Sequence, residues 1–458
     1  MGVVVSTVEL DRANTAAGAD RSRLAGPVRR WQRAGWRRRR SVAQLIVGLA
    51  ALVIGGLGSS LVSFVTTPNG DTVEQRAVTW ARNHGFGRLV DAVERWVFSE
   101  PPSTRPADEL ALTVPVTPPP IETTAPATPA TTTAVPTTAP ATTMPSPQAP
   151  VTQVSVTTVA PTVPPTTVPP PPARPGDLAP VVGPALEGEG VWVPVASAGG
   201  HPAVWATSWR PSTAYPSVIG SFAVIDQRHV RVGMFNGSDV PGGKDWGLGN
   251  KVPAELQPMV IAAFNGGFRF EHIKGGYKTE GRVVRPLLDG EATLAVDRNG
   301  KATVGAFGRD LVDDGTWVSF RQNLPLLVDG GKPMVRDSKG VWWGADFGNQ
   351  MFVLRSSVCV LADGRLMYGA VGKVDAIMLS DVLASMGCVR AMQLDINGTW
   401  PTFFTYAHGP DGQITPALLD RRMGGDRARY LKGSTREFFA FFDAPNLPAG
   451  NVLQAIGS

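Results

Sequence analysis

Val260-Ile261-Ala262-Ala263-Phe264 runs without a break into Asn265-Gly266-Gly267-Phe268. Five apolar residues followed by an amide and two glycines read as a buried strand that ends in a sharp backbone turn. Chains take this form at the rim of a sheet, where a ligand must approach the backbone. A second junction of the same kind lies downstream, where Ala391-Met392-Gln393-Leu394 meets Asp395-Ile396-Asn397-Gly398. Two polar side chains delivered by strand ends, in a chain poor in His and Cys, predict a site built from carboxylate and amide groups.

Strand-like runs recur on both sides of these junctions: residues 191–195, 221–225, 229–235, 292–296, 324–328, 351–361, 366–370 and 390–394. Turn sequences at Asp297-Arg298-Asn299-Gly300 and Ala362-Asp363-Gly364 predict hairpins. Residues 376–386 carry the clearest helical spacing, and 253–256 make at most one turn. The reading is an α+β domain over residues 176–458, organised as a strand-rich mixed sheet.

The chain before this domain has a different character. Residues 1–40 hold ten Arg against Glu9, Asp11 and Asp20, a net of +7 in a chain of +5 overall. The basic excess therefore belongs to the tail, and the folded part has none with which to track a phosphate backbone, so no nucleic-acid partner is expected. The tail ends in Arg37-Arg38-Arg39-Arg40 and is followed by an apolar run over 41–65, long enough to span a bilayer. Basic residues on its N-terminal side predict a cytoplasmic tail and a single-pass anchor, with everything beyond residue 65 outside. A cleavable signal peptide is the competing reading, but its n-region would be unusually long and no small-x-small cleavage site is evident.

Asp71-Thr72-Val73-Glu74 has capping-box spacing and predicts a helix in a juxtamembrane segment, 66–100. That segment reads either as a short stalk or as a helical hairpin near the membrane or a partner. Residues 101–175 are nearly all Pro, Thr, Ala and Val, a composition that favours polyproline II over a packed core. Such a linker reaches on the order of 200 Å. The two cysteines, Cys359 and Cys388, are open to pairing in an oxidising compartment or to lying buried as thiols.

Familiar catalytic patterns are missing. There is no phosphate loop, His-Glu-x-x-His, Cys-x-x-Cys or Gly-x-Ser-x-Gly, and His201, His229, His272 and His408 lack ligand spacing. No cofactor and no metal is expected. Asn265, Arg321, Arg355, Asp329 and Asp395 remain, each beside a strand-like run. Arg355 has the chemistry of a phosphate or carboxylate clamp, or of an ion pair with Asp346 or Asp395. Asp329-Gly330-Gly331 and Glu280-Gly281 read as turns first and as site elements second. Asn397-Gly398-Thr399 matches a glycosylation sequon. Trp246, Trp342, Trp343 and Trp400 offer faces suited to sugar rings, and neighbours on a strand such as Trp342 and Trp343 point opposite ways.

Asn265-Gly266-Gly267-Phe268, Leu324-Pro325-Leu326-Leu327-Val328-Asp329-Gly330-Gly331, Arg355-Ser356-Ser357 with Asp363-Gly364, and Leu394-Asp395 fall in an order that resembles the phosphodiester glycosidase family. The resemblance spans residues 218–406. It implies hydrolysis of a sugar-1-phosphodiester at the anomeric carbon, with Asn265, Arg355 and Asp395 in the active site. Gly266, Gly267, Arg321, Asp329, Glu280 and Asn397 are the candidate substrate-binding residues. The family's glycine-rich continuation after Leu-Asp is replaced here by Ile396-Asn397-Gly398-Thr399.

This inventory suits the chemistry. A carboxylate stabilises or traps an oxocarbenium-like state, and a phosphomonoester leaves without strong acid assistance. Arg355 is the expected phosphate clamp, Asp395 the nucleophile or base and Asn265 the positioner. The expected substrate is a cell-envelope carbohydrate or phosphoglycan. A non-catalytic glycan-binding module and an envelope scaffold are the alternatives.

Overall fold

In the computed structural model, residues 55–66, 70–113, 174–337, 343, 351–396 and 400–457 are described. The chain divides into two units, Met1–Thr67 and Pro68–Ser458. In the first, residues 55–66 are helical, while 1–54 lie outside the described residues together with most of the expected anchor. Among the described residues no helix is long and apolar enough to cross a membrane.

Three antiparallel sheets, rather than one mixed sheet, build the second unit. The largest has eight strands in the order Val193–Ala198, His201–Trp209, Gly220–Ile225, Leu366–Val374, Val353–Leu361, Cys388–Ile396, Val328–Asp329 and Lys332–Pro333. A five-stranded sheet runs Arg282–Arg285, Tyr277–Thr279, Trp317–Pro325, Glu291–Asp297 and Ala302–Ala306. A third runs Ile414–Leu418, Phe403–His408, Val260–Asn265, Phe438–Asp443 and Val230–Phe235. Both predicted hairpins form, joining Glu291–Asp297 to Ala302–Ala306 and Val353–Leu361 to Leu366–Val374.

The uninterrupted apolar run at 260–264 has a direct cause. Val260–Asn265 is the central strand of its sheet and is buried on both faces. Ile261, Ala262 and Phe264 join the core shared by the three sheets, while Val260 and Ala263 pack with Tyr430 and Leu453 on the other side. The helix Ala376–Ser385, capped by Asp375 accepting from Met378 N–H at 2.8 Å, closes the outer face of the largest sheet. Cys359 and Cys388 form a disulfide between neighbouring strands of that sheet.

The compact unit begins well before residue 176. The helix Val73–Ala81 continues through a kink at His84 and Gly85 into the helix Gly87–Phe98. Its capping box lies one residue later than the sequence spacing suggests. Thr72 Oγ1 accepts from Gln75 N–H at 3.1 Å, and Gln75 Oε1 accepts from Thr72 N–H at 2.7 Å. Phe98 packs against Phe268, Ile273, Met351, Val353 and Ile396. Residues 101–113, expected to open the linker, instead run along the domain. Ser217 Oγ donates to Ser103 O at 2.6 Å, Arg421 N–H donates to Ala111 O at 3.0 Å, and Leu112 bridges to Asp420. Residues 114–173 of the linker lie outside the described residues.

Candidate active site

The two polar junctions meet, although they belong to different sheets. Asn265 ends the central strand of the third sheet, and Asp395 lies near the end of Cys388–Ile396 in the largest. Ser356, on the strand beside Asp395, joins them. Its hydroxyl accepts from Asn265 Nδ2 and from Asp395 N–H, each at 3.1 Å, and donates to Asp395 O at 2.9 Å. Asn265 Nδ2 also donates to Gly266 O at 2.8 Å, while Oδ1 accepts from Thr402 N–H at 2.9 Å and Tyr368 OH at 3.1 Å. With two donations and two acceptances the amide is fully engaged. Asn265 therefore holds the frame.

Asp395 is 6% exposed. Its Oδ1 accepts from Ile396 N–H at 2.8 Å and its Oδ2 from Arg436 Nη2 at 2.8 Å. Burial pushes the carboxyl above its ordinary range, and the nearby Glu437 adds to the rise. Arg436, the Ile396 N–H and Arg321 oppose it.

Arg436 and Glu437 were not singled out by the sequence, and the third sheet supplies them. They enter the strand Phe438–Asp443, which pairs with Val260–Asn265 so that Gly266 N–H donates to Glu437 O at 3.0 Å. Arg436 Nη2 also donates to Gly267 O at 2.6 Å, and its guanidinium lies 4.9 Å from the Trp400 ring centre. Its Nε is buried and has no partner among the described residues. The signal available in sequence is Arg436-Glu437 standing directly before Phe438-Phe439-Ala440-Phe441-Phe442. That is the Asn265 junction in reverse, with polar residues leading into the strand rather than ending it.

The two glycines make room for a buried ion pair. Glu437 Oε1 accepts from Arg321 Nε at 2.6 Å and from Gly267 N–H at 2.9 Å. A Cβ at residue 266 would collide with that same carboxylate, so Gly266 is required for the close approach. Arg321 has no exposed surface and also donates to Phe268 O and Gln322 O. It supports the turn from below rather than facing a substrate, as the sequence had suggested. Asn323 fastens the turn to the Asp395 strand: Oδ1 accepts from Phe268 N–H at 3.2 Å, and Nδ2 donates to Gln393 O at 2.6 Å and Leu394 O at 2.9 Å.

Arg355 corrects the expectation most clearly. It has no exposed surface, and its guanidinium donates to Val374 O, Trp343 O, Gln393 Oε1 and Met351 O at 2.8–2.9 Å. Burial pushes it down to about 10. A phosphate clamp needs donors facing open space, and these are engaged with protein acceptors. Trp343 is fully buried, while Trp342 lies outside the described residues.

Three other candidates stand apart. Asp329 pairs with Arg309 through contacts of 2.7 and 2.9 Å, in a cleft of about 490 Å³ shared with Asp289 and Phe307. Glu280, at φ +50°, accepts from Leu248 N–H at 2.8 Å and Gly247 N–H at 2.9 Å, and so holds that loop. Neither touches Asp395. Asn397 lies outside the described residues.

The N-terminal hairpin borders the site. Asn83 Oδ1 accepts from Arg269 Nη2 at 2.9 Å, and Arg269 also pairs with Asp239 at 2.8 Å and Glu271 at 3.0 Å. His272 is held below its ordinary range by burial and by Arg82 of the hairpin, with Arg436 adding to the effect and Glu271 and Asp91 opposing it.

A carboxylate and a guanidinium buried beside a glycine turn, brought together from strand ends of two sheets, make the candidate site. Residues 258–397 match the family described as phosphodiester glycosidase, so the chain carries a domain of that family. Among solved structures it is similar to the catalytic domain of zebrafish N-acetylglucosamine-1-phosphodiester alpha-N-acetylglucosaminidase, auto-inhibited by its pro-peptide. That match has 15% identity and a TM-score of 0.38, covering 54% of this chain and 86% of that one. A hypothetical protein from Synechocystis matches at 10% identity and a TM-score of 0.35, over 53% of this chain and 63% of that one. No curated protein matches the chain.

Proposed function

We propose that the domain hydrolyses a sugar-1-phosphodiester bond in a cell-envelope glycan, with Asp395 as nucleophile or base. The observation that carries this reading is the buried Asp395–Arg436 pair beside Gly267; Asp395 and Gly267 lie within the residues that match the phosphodiester glycosidases, and Arg436 lies beyond them. Asp395 stabilises or traps the oxocarbenium-like state. Arg436 takes the role first assigned to Arg355. Its guanidinium pairs with Asp395, and its Nε, buried and without a partner among the described residues, reaches the departing phosphate only once the covering segment opens. Asn265, through Ser356, keeps the carboxylate in place.

Outside the cytoplasm is the setting this reading prefers, with residues 41–65 as a single-pass anchor and the Pro/Thr-rich stretch as a tether. Support comes from the arginine cluster ahead of the apolar run and from the disulfide, a bond that persists in oxidising compartments. Because Asp395 is buried and the hairpin 73–98 packs on residues flanking it, entry of a glycan requires the hairpin to give way.

A screen of the purified chain against sugar-1-phosphodiesters tests the reading, with Asp395→Asn as control. Release of free sugar and phosphomonoester by the unsubstituted chain, and its loss in the variant, is the expected result. Hydrolysis that survives Asp395→Asn sinks the assignment. A second reading, a glycan-binding module without turnover, is favoured by the covered carboxylate and the altered sequence after it. Binding of phosphodiester-linked glycans with no product at any pH would select it.

A further inference from the structure

Asp71 lies ahead of the linker, 364 residues from its partner Thr435, and is nonetheless among the most deeply buried charges of the domain. Its Oδ1 stands 3.0 Å from Arg429 Nε, with both side chains at most 2% exposed, and its Oδ2 accepts from Thr435 Oγ1. Gly70 sets the approach. Its N–H donates to Gly433 O at 2.7 Å, and a Cβ there would collide with the Arg429 backbone. The Gly70-Asp71 pair is thus keyed into residues 429–435 by backbone and by charge.

Those residues lead directly to the candidate centre. The Arg429 guanidinium lies 5.4 Å from the Trp400 ring centre, and that of Arg436 lies 4.9 Å from the same ring. Ser434 Oγ accepts from Arg429 Nε at 3.3 Å and from Arg436 N–H at 3.2 Å. Asp71 therefore holds one of the two cations on Trp400 and also holds the residue next to the other. Arg436 in turn pairs with Asp395 at 2.8 Å.

We propose that Asp71 is a positioning residue for the Asp395–Arg436 centre, so that the start of the N-terminal segment is a working part of the site. This rests on the hydrolase reading. The base of the segment is keyed through Gly70 and Asp71 to the residues that lead to the centre. Without the Asp71 carboxylate, Arg429 is left buried beside Trp400 and without its counter-charge. The Thr435 anchor is lost as well, and Arg436 no longer has a fixed approach to Asp395.

The full chain carrying Asp71→Asn tests this. The expected result is a fall in kcat of about tenfold or more with KM within about twofold, since Asp71 does not touch substrate. The acid limb of the pH–rate profile should move upward, because Asp395 loses part of its compensating charge. The carboxyl ¹³C resonance of Asp395, titrated in both proteins, should report the same upward movement without any need for turnover. Asp71→Glu should restore part of both effects. Should Asp71→Asn fail to fold, the double variant Asp71→Asn/Arg429→Gln removes both charges and keeps the shape. Recovery of fold without recovery of kcat supports the positioning role, and recovery of both overturns it. Unchanged or increased kcat with an unmoved Asp395 titration also overturns it, leaving Asp71 as a fastening for the hairpin alone. Absence of hydrolysis by the unsubstituted chain would count against the hydrolase reading, and the Asp395 titration would then decide the inference.

Discussion

Ser356 and Asp395 exchange hydrogen bonds across neighbouring strands: the hydroxyl accepts from the Asp395 N–H at 3.1 Å and donates to its carbonyl at 2.9 Å. Both residues are buried, and the same hydroxyl receives the Asn265 amide. Ser356→Ala should therefore cost about 1–3 kcal/mol, chiefly because Asn265 Nδ2 and the Asp395 backbone lose a buried partner. Urea unfolding measures that loss. Hydrolysis should fall further than stability alone predicts, since the frame under Asp395 loosens.

The pH response of Asp395 follows from its raised carboxyl. In the native state the proton is held more tightly than in the unfolded chain, where the value is about 3.9. Its contribution to stability is complete below that value and is lost as pH rises through the raised one. Activity needs the ionised form and so rises over the same window. Asp395→Asn should flatten this part of the stability–pH curve, as read from melting temperatures across pH 3 to 8.

Gly266→Ala places a methyl group on the Glu437 carboxylate. The ion pair with Arg321 must shift, and overpacking of this kind costs about 1–3 kcal/mol. Because the Gly267 N–H is bonded to the same carboxylate, the turn carrying the Arg436 contact should move too. Thermal unfolding and kcat should both fall. Unchanged values would show that the turn tolerates a Cβ and that the close approach has no consequence.

Glu437→Leu leaves Arg321 buried with no counter-charge, a loss of about 3–5 kcal/mol. Replacing both members with apolar residues of similar volume should recover much of that stability. It should not recover activity, because the Gly267 N–H would still lack its acceptor. A double-mutant cycle followed by denaturant titration separates these outcomes.

The sequence showed where strands end on polar residues, because an apolar run broken by an amide or a carboxylate is a local signal. Asn265 and Asp395 carry that signal, and they do meet. Arg436 gives none. It precedes its strand, so it reads as an ordinary charged entry until the pairing of Phe438 with Asn265 brings it alongside. Arg355 misleads for the opposite reason. Its strand is central, flanked by Leu366–Val374 and Cys388–Ile396, and the guanidinium turns toward carbonyls rather than solvent. The division into three sheets was equally hidden, since a run of apolar residues does not name its partner strand. Asp71 looked like a helix cap. Thr72 takes that task, which frees the carboxylate for Arg429.

The disulfide joins the strands that carry Ser356 and Asp395, near the opposite end from both. Closing a loop over a sequence separation of 29 residues stabilises by about 3–4 kcal/mol in the chain-entropy account. Its sharper effect is on alignment. Side chains alternate along a strand, so sliding Cys388–Ile396 by one residue would turn Asp395 toward the opposite face. Two strands held only by ladder hydrogen bonds can sample that slip as they assemble. Here the offset pairing would also have to carry Cys388 away from Cys359, so the disulfide adds a covalent tie to an alignment that the buried apolar residues of the strand already favour.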